Sequence, residues 1–214
     1  MTIAFLHTAE VHVGTFTALV TELGPGTPTT HVVDPDLLAA ARAAGGVDAE
    51  FTASLATRLA EVATGAAVVV CTCSTLAGTA EALGPVAGVP VLRIDRPMAE
   101  AAVALGPRVA VVAAVDSTLG PTVELLTGCA AATGTPIEVT TRLVEGAWAA
   151  FEAGDLAGYE RRIADAVDAL APDADVVVLA QASMAGAADL VTTGVPVLSS
   201  PRRAVEAALG LLDA

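Results

Sequence analysis

The stretch Val68-Val69-Val70-Cys71-Thr72-Cys73-Ser74-Thr75-Leu76-Ala77-Gly78 decides the fold. An apolar β-branched run ends in a short polar turn, and a helical pattern follows. In an open α/β sheet, ligands bind beyond the carboxyl ends of the strands. A thiol at such an end sits against the first turn of a helix. The unpaired N–H groups and positive dipole end there favour the thiolate. Cys73 lies in the turn and is the candidate nucleophile or base. Cys71 still belongs to the strand and packs. Free cysteine is also a common small core residue, and this stretch alone leaves both readings open.

The chain repeats the stretch half its length later. Ala174-Asp175-Val176-Val177-Val178-Leu179-Ala180-Gln181-Ala182-Ser183-Met184-Ala185-Gly186 has the same plan. With the first copy counted from Ala66, both copies start as Ala-x-Val-Val-Val, end as apolar-Ala-Gly, and carry an acid three residues later, at Glu81 and Asp189. Each is followed by Gly-Val-Pro-Val-Leu, at Gly88–Leu92 and Gly194–Leu198. A proline (Pro97, Pro201) and an alanine-rich helical pattern come next. In this alignment Cys73 corresponds to Gln181, the chain's single glutamine.

The composition fits a buried parallel sheet covered by alanine-rich helices: 54% of residues are hydrophobic and only 16% charged. The net charge of −14 argues against nucleic acid or an anionic membrane surface as a partner. No apolar run reaches the length of a membrane span. Met1–Leu6 reads as a strand and not as a signal peptide. Three cysteines without zinc-ligand spacing predict neither a disulfide framework nor a metal site, and a reduced, cytoplasmic protein is expected. The chain has no lysine. A pyridoxal phosphate enzyme needs one for its Schiff base, so that route is closed, and no cofactor is expected.

Strands are predicted at Ile3–Leu6, Thr30–Val33, Ala67–Cys71, Val89–Leu92, Arg108–Val112, Pro136–Thr140, Asp175–Leu179 and Val195–Leu198. Helices are predicted at Thr15–Leu23, Ala49–Ala63, Pro97–Leu105, Leu119–Thr133, Gly146–Leu170 with a break near Gly154, and Arg202–Leu212. Asp34-Pro35 reads as the stop of the second strand. Strands alternating with helices mean parallel pairing. The expected fold class is α/β: two pseudo-twofold-related lobes with mainly parallel four-stranded sheets and the active site in the cleft between them. The first lobe spans residues 1–96 and carries Cys73. The second spans 97–214 and carries Gln181, and its final helix is a candidate to pack back on the first.

Equivalent turns of the two halves are His7-Thr8 and Cys73-Ser74-Thr75 in the first, Asp116-Ser117-Thr118 and Gln181-Ala182-Ser183 in the second. They are small, polar and rich in N–H groups at helix starts, which suits a carboxylate ligand. Two duplicated α/β lobes with such a turn after the third strand resemble the cofactor-independent aspartate/glutamate racemase superfamily. It includes glutamate, aspartate and hydantoin racemases, maleate isomerase and arylmalonate decarboxylase. Cys73-Ser74-Thr75 is similar to the family's Cys-Asn-Thr turn. Leu179 to Ala185 is similar to its Leu-Gly-Cys-Ala-Gly-Met-Ala string. The likeness covers essentially the whole chain.

The resemblance implies a small-molecule carboxylate substrate, and a homodimer or higher homo-oligomer is the assembly to test for. In that family two cysteines face the α-carbon, one removing a proton and the other returning one. This chain has Gln181 where the second thiol belongs, and an amide cannot exchange a proton near neutral pH. The resemblance therefore implies one-sided chemistry at Cys73: protonation after decarboxylation, or thiolate addition with isomerisation. An enediolate formed there needs convergent N–H and hydroxyl donors. Thr8, Ser74, Thr75, Ser117, Thr118, Gln181, Ala182 and Ser183 are the expected substrate-binding positions.

His7 ends the first strand and has three readings: a second proton carrier, a donor to the substrate, or a loop-bonded structural residue. His12, in the following loop, is the other candidate for a second acid/base, making a true amino-acid or hydantoin racemase the alternative. A carboxylate-binding protein without catalysis is the other alternative. His31 reads as structural, Asp116 as the cap of the next helix, Cys129 as buried in its helix, and Trp148 as core or interface. Arg93 and Arg96, after the fourth strand, read as surface or inter-subunit residues, with pairing to a carboxylate at the cleft mouth as the alternative, and Asp95 and Arg202-Arg203 read as solvated.

Overall fold

The computed structural model describes residues 1–43 and 47–212, without the side chain at position 42. The expected lobe ranges also run over 44–46 and 213–214, which lie outside the described residues. The elements in chain order are β1 (Ile3–His7), α1 (Val11–Leu23), β2 (Thr29–Val33), α2 (Pro35–Ala43), α3 (Ala49–Val62), β3 (Val68–Cys71), α4 (Ser74–Ala82), α5 (Gly84–Ala87) and β4 (Val91–Arg93). Then come α6 (Arg96–Leu105), β5 (Arg108–Ala113), α7 (Leu119–Thr133), β6 (Glu138–Leu143), α8 (Ala147–Glu152), α9 (Leu156–Leu170), β7 (Val176–Leu179), β8 (Val197–Ser199) and α10 (Ser200–Leu212).

The chain forms two compact units, Met1–Ile94 with Pro201–Ala214, and Asp95–Ser200. Each holds one four-stranded sheet, in the order β2-β1-β3-β4 and β6-β5-β7-β8. All pairings are parallel. The two orders are the same relative to the chain. The fold is therefore α/β, with two four-stranded parallel sheets flanked by helices.

In the first unit, β1 and β3 are the central strands, and every residue of both is buried. Their side chains alternate between the faces. Ala4, Leu6, Val69 and Cys71 pack with Phe51, Leu55, Leu59 and Val62 of α3. Those four recur at helical spacing, so one stripe of α3 is buried. Asp48 starts that helix by accepting the Phe51 N–H at 2.8 Å. On the opposite face Phe5 and His7 meet Phe16 of α1. Leu55→Ala or Leu59→Ala, each fully buried, is expected to cost about 2–5 kcal/mol. Urea unfolding reads this directly, and an unshifted midpoint would contradict the packing.

The second unit alternates in the same way. Val109, Val111, Val176 and Val178 pack with Met98 of α6 and Leu126 and Cys129 of α7. Ala110, Val112, Val177 and Leu179 pack on the other face with Tyr159, Ile163 and Val167 of α9.

Several elements differ from the sequence expectation. Pro35 does not end regular structure but opens α2, because a first-turn proline lacks only an N–H that would be unpaired anyway. Helix α1 starts four residues before Thr15, with Glu10 at its cap position and no side-chain capping bond to announce it. Strand β6 lies beyond Pro136, at Glu138–Leu143, and is a mostly exposed edge without a buried alternation to read. After β7 the repeat implies an α-helix, but Ala182–Asp189 form a 3-10 helix.

Candidate active site

Parallel pairing of Leu6 with Cys71 brings the ends of β1 and β3 side by side. The Thr72 N–H continues the ladder one residue further by donating to the Leu6 carbonyl at 3.0 Å. Cys73 follows in extended conformation as the N-cap residue of α4 (φ −98, ψ 108). Its side chain forms no capping bond, so the Ser74 and Thr75 N–H groups are left open among the described residues, while the Leu76 N–H donates to the Cys73 carbonyl at 3.0 Å. Cys73 is 9% exposed, whereas Cys71 is fully buried and Cys129 is 5% exposed in α7. No disulfide links the three. The Ser74, Thr75 and Thr8 side chains are half-buried. Their hydroxyls form no hydrogen bond among the described residues.

His7 is fully buried. Its Nδ1 lies 2.9 Å from Thr72 Oγ1 and its Nε2 lies 2.9 Å from His31 Nδ1. Burial, and secondarily the neighbouring His31 and His12, push its pKa down to about 3. The ring is thus neutral at physiological pH with both nitrogens engaged. His12 is half-buried, its ring centroid 6.3 Å from that of His7, and burial lowers its pKa as well.

In the second unit, Gln181 follows β7 as Cys73 follows β3. Its Oε1 accepts the Ala114 N–H at 2.7 Å and the Val115 N–H at 3.1 Å, both just beyond β5. Two N–H donors can only meet the carbonyl end of an amide, so the orientation of Gln181 is fixed. Its Nε2 forms no hydrogen bond among the described residues. Ser183 Oγ lies 2.8 Å from the hydroxyl of Tyr159, whose pKa is pushed up to about 12, chiefly by burial. Thr118 is buried and donates to the Val115 carbonyl at 2.6 Å. Ser117 is exposed and Ala182 half-buried.

Other positions depart from expectation. Asp116 lies inside a short 3-10 turn and does not cap α7; the cap residue is Thr118, without a side-chain bond. Asp95 is 1% exposed and Arg93 8% exposed, so neither is a solvated surface residue. Arg93 runs over α4 at Gly78, where an added Cβ would lie 3.2 Å from the guanidinium. Arg202 does lie at the surface, paired with Glu22 at 2.8 Å.

Sequence reasoning passed over Thr72, Thr17, Tyr159 and the backbone N–H pair of Ala114 and Val115. The strand register could have supplied Thr72, which follows Cys71 beside His7. An open cavity of about 480 Å³ near α2 and α3 is lined by Asp34, Asp36, Asp48 and Glu50. Its charge disfavours a carboxylate ligand. Among the described residues no group of three or more His, Cys, Asp or Glu is placed to hold a metal ion. No helix among them is long and apolar enough to cross a membrane.

Among solved structures, a glutamate racemase isoform from Bacillus anthracis superposes with a TM-score of 0.73 at 17% identity, over 99% of this chain and 81% of that one. Aspartate racemase from Picrophilus torridus gives 0.71 at 12% identity, over 98% and 93% of the two chains. Arylmalonate decarboxylase gives 0.61 at 20% identity, over 99% and 92%. At these identities the likeness is one of fold. A search of curated proteins finds no significant match. The family model for Asp/Glu/Hydantoin racemase matches residues 9–208, nearly the whole chain, so the protein belongs to that family of enzymes.

Proposed function

We propose that the protein is a cofactor-free, metal-independent isomerase or lyase that acts on a small carboxylate through one thiol, Cys73. The observation that carries this reading is the asymmetry of the two turns. The first presents a thiol at an uncapped helix start. The second presents an amide whose carbonyl is tied to two backbone N–H groups. A neutral amide neither removes nor returns a proton at ordinary pH. Gln181 then serves as a fixed donor, its Nε2 holding a carboxylate or carbonyl oxygen.

Chemistry at Cys73 takes one of two forms. After loss of carbon dioxide from a malonate-like diacid, the thiol S–H gives its proton to the enediolate carbon and the thiolate remains. Alternatively the thiolate adds to a carbon–carbon double bond, the resulting single bond rotates, and expulsion of the thiolate restores the double bond in the other geometry. In both, the Ser74 and Thr75 hydroxyls and the open N–H groups of α4 stabilise the developing oxyanion. Racemisation requires a second base. His7 is neutral, saturated with hydrogen bonds and fully buried, which favours a positioning role for it.

The test is to incubate amino acids, hydantoins, maleate-like diacids and malonates with the protein in deuterium oxide and follow them by NMR. The expected result is turnover of an unsaturated diacid, or decarboxylation with deuterium entering from one face. Rapid α-deuteration of both enantiomers of an amino acid would overturn the one-thiol reading and leave His12 as the candidate partner.

A further inference from the structure

A line of side chains runs from the turn before Cys73 to the surface of α1. Thr72 Oγ1 and His7 Nδ1 are 2.9 Å apart. His7 Nε2 and His31 Nδ1 are 2.9 Å apart. His31 Nε2 and Thr17 Oγ1 are 3.2 Å apart. Thr17 Oγ1 in turn donates to the Val13 carbonyl at 2.8 Å within α1. The two imidazole planes differ by only 7° with centroids 5.2 Å apart, the edge-to-edge arrangement an N–H···N bond needs.

Proton counting gives this line a direction. A hydroxyl has one proton, and Thr17 gives its own to Val13, so it accepts from His31. His31 is then the Nε2–H tautomer, with a bare Nδ1. That nitrogen accepts from His7, which is also the Nε2–H tautomer. His7 Nδ1 is bare and accepts from the Thr72 hydroxyl. The reverse polarity would send the Thr72 proton to the Leu6 carbonyl, a longer contact at 3.2 Å. The shorter terminal bond in α1 selects the first direction.

We infer that His31 and His7 are positioning residues for the catalytic turn: His31 fixes the tautomer of His7, which binds the Thr72 hydroxyl and pins the residue before Cys73. The line ties three elements, α1, β2 and β1, to the end of β3. It does so one residue past the last β1–β3 register pair, Leu6 with Cys71. This deepens the proposed function, because its use depends on Cys73 being the reacting group. The hydrogen-bond polarity itself does not depend on that.

The test compares the native protein with His31→Leu and His31→Asn. Nitrogen-15 NMR of the imidazoles reads the tautomers. His7 is expected as Nε2–H in the native protein. In His31→Leu the acceptor is gone, and the proton should move to Nδ1 and bond Thr72, whose own proton turns to Leu6. In His31→Asn the amide oxygen replaces the lost acceptor and the native tautomer should return. Iodoacetamide labelling of Cys73, assigned by mass spectrometry, should quicken about threefold or more in His31→Leu as the turn opens more often. It should stay near native in His31→Asn. Neither readout needs a substrate, so a failure here is separate from a failure of the one-thiol reading. An Nδ1–H tautomer of His7 in the native protein, which needs no variant to fold, would overturn the inference. So would equal labelling in all three proteins.

Discussion

Cys73→Ala is expected to lower turnover by roughly a thousandfold or more, to the background of the assay, because the proposed mechanism makes its thiol the group that forms or breaks the bond. The fold should survive, since alanine fits a site that already holds a small side chain. Cys129→Ala is the matched control: it removes a buried thiol from α7 and should leave turnover near native. The comparison is made on whichever diacid or malonate the deuterium survey identifies. Retained turnover in Cys73→Ala would end the thiol mechanism, whereas equal loss in both variants would indicate a folding defect.

Acidification is expected to have the next largest effect, and His7 should carry much of it. Its folded pKa, about 3, lies below the ordinary value of 6.5. The unfolded chain therefore takes up a proton as pH falls through 6.5, while the folded protein resists until about 3. Stability from this group is complete above 6.5 and declines with falling pH down to about 3. At about pH 4.5 the loss amounts to roughly 2–3 kcal/mol. His12 and His31 are lowered too, mainly by burial, and add with the same sign; Glu10 opposes the shift at His31. Asp168 and Asp175 are held below 3.8 by bonds to Thr192 and Arg108, so their stability is lost only further down. Urea unfolding between pH 6.5 and about 4 thus isolates the histidines. His7→Leu should start less stable, because Thr72 and His31 lose a partner, but should show a flatter pH dependence. Parallel curves would refute the assignment.

Much of this architecture was legible in the chain. The Val-Val-Val runs and the repeated Gly-Val-Pro-Val-Leu strings mark β3, β7 and the strands beside them, because a doubly covered strand must be apolar throughout. The stripe of Phe51, Leu55, Leu59 and Val62 marks α3. What the chain did not reveal depends on signals that weak burial or missing caps erase. Edge strand β6 has no buried face, and α1 begins without a capping side chain. At the candidate site, the sequence singles out Cys73 by its place after a strand. The partners of His7 and Gln181 did not, because they lie far off in sequence and meet only through strand register. Asp95 and Arg93 show the same limit: charge suggested solvent, and burial is decided by neighbours that composition does not name.

The bond geometry of Gln181 also bears on how this chain could change. Its carbonyl occupies the N–H groups of Ala114 and Val115. Exchange of Gln181 for a short residue would do more than delete an amide: it would uncover two convergent backbone donors in a chain of net charge −14. Position 181 is therefore coupled to backbone that no mutation can alter directly. One codon sets both the side chain offered after β7 and the hydrogen bonding of the backbone beside β5, so ancestry at this turn would advance in steps that change two properties at once.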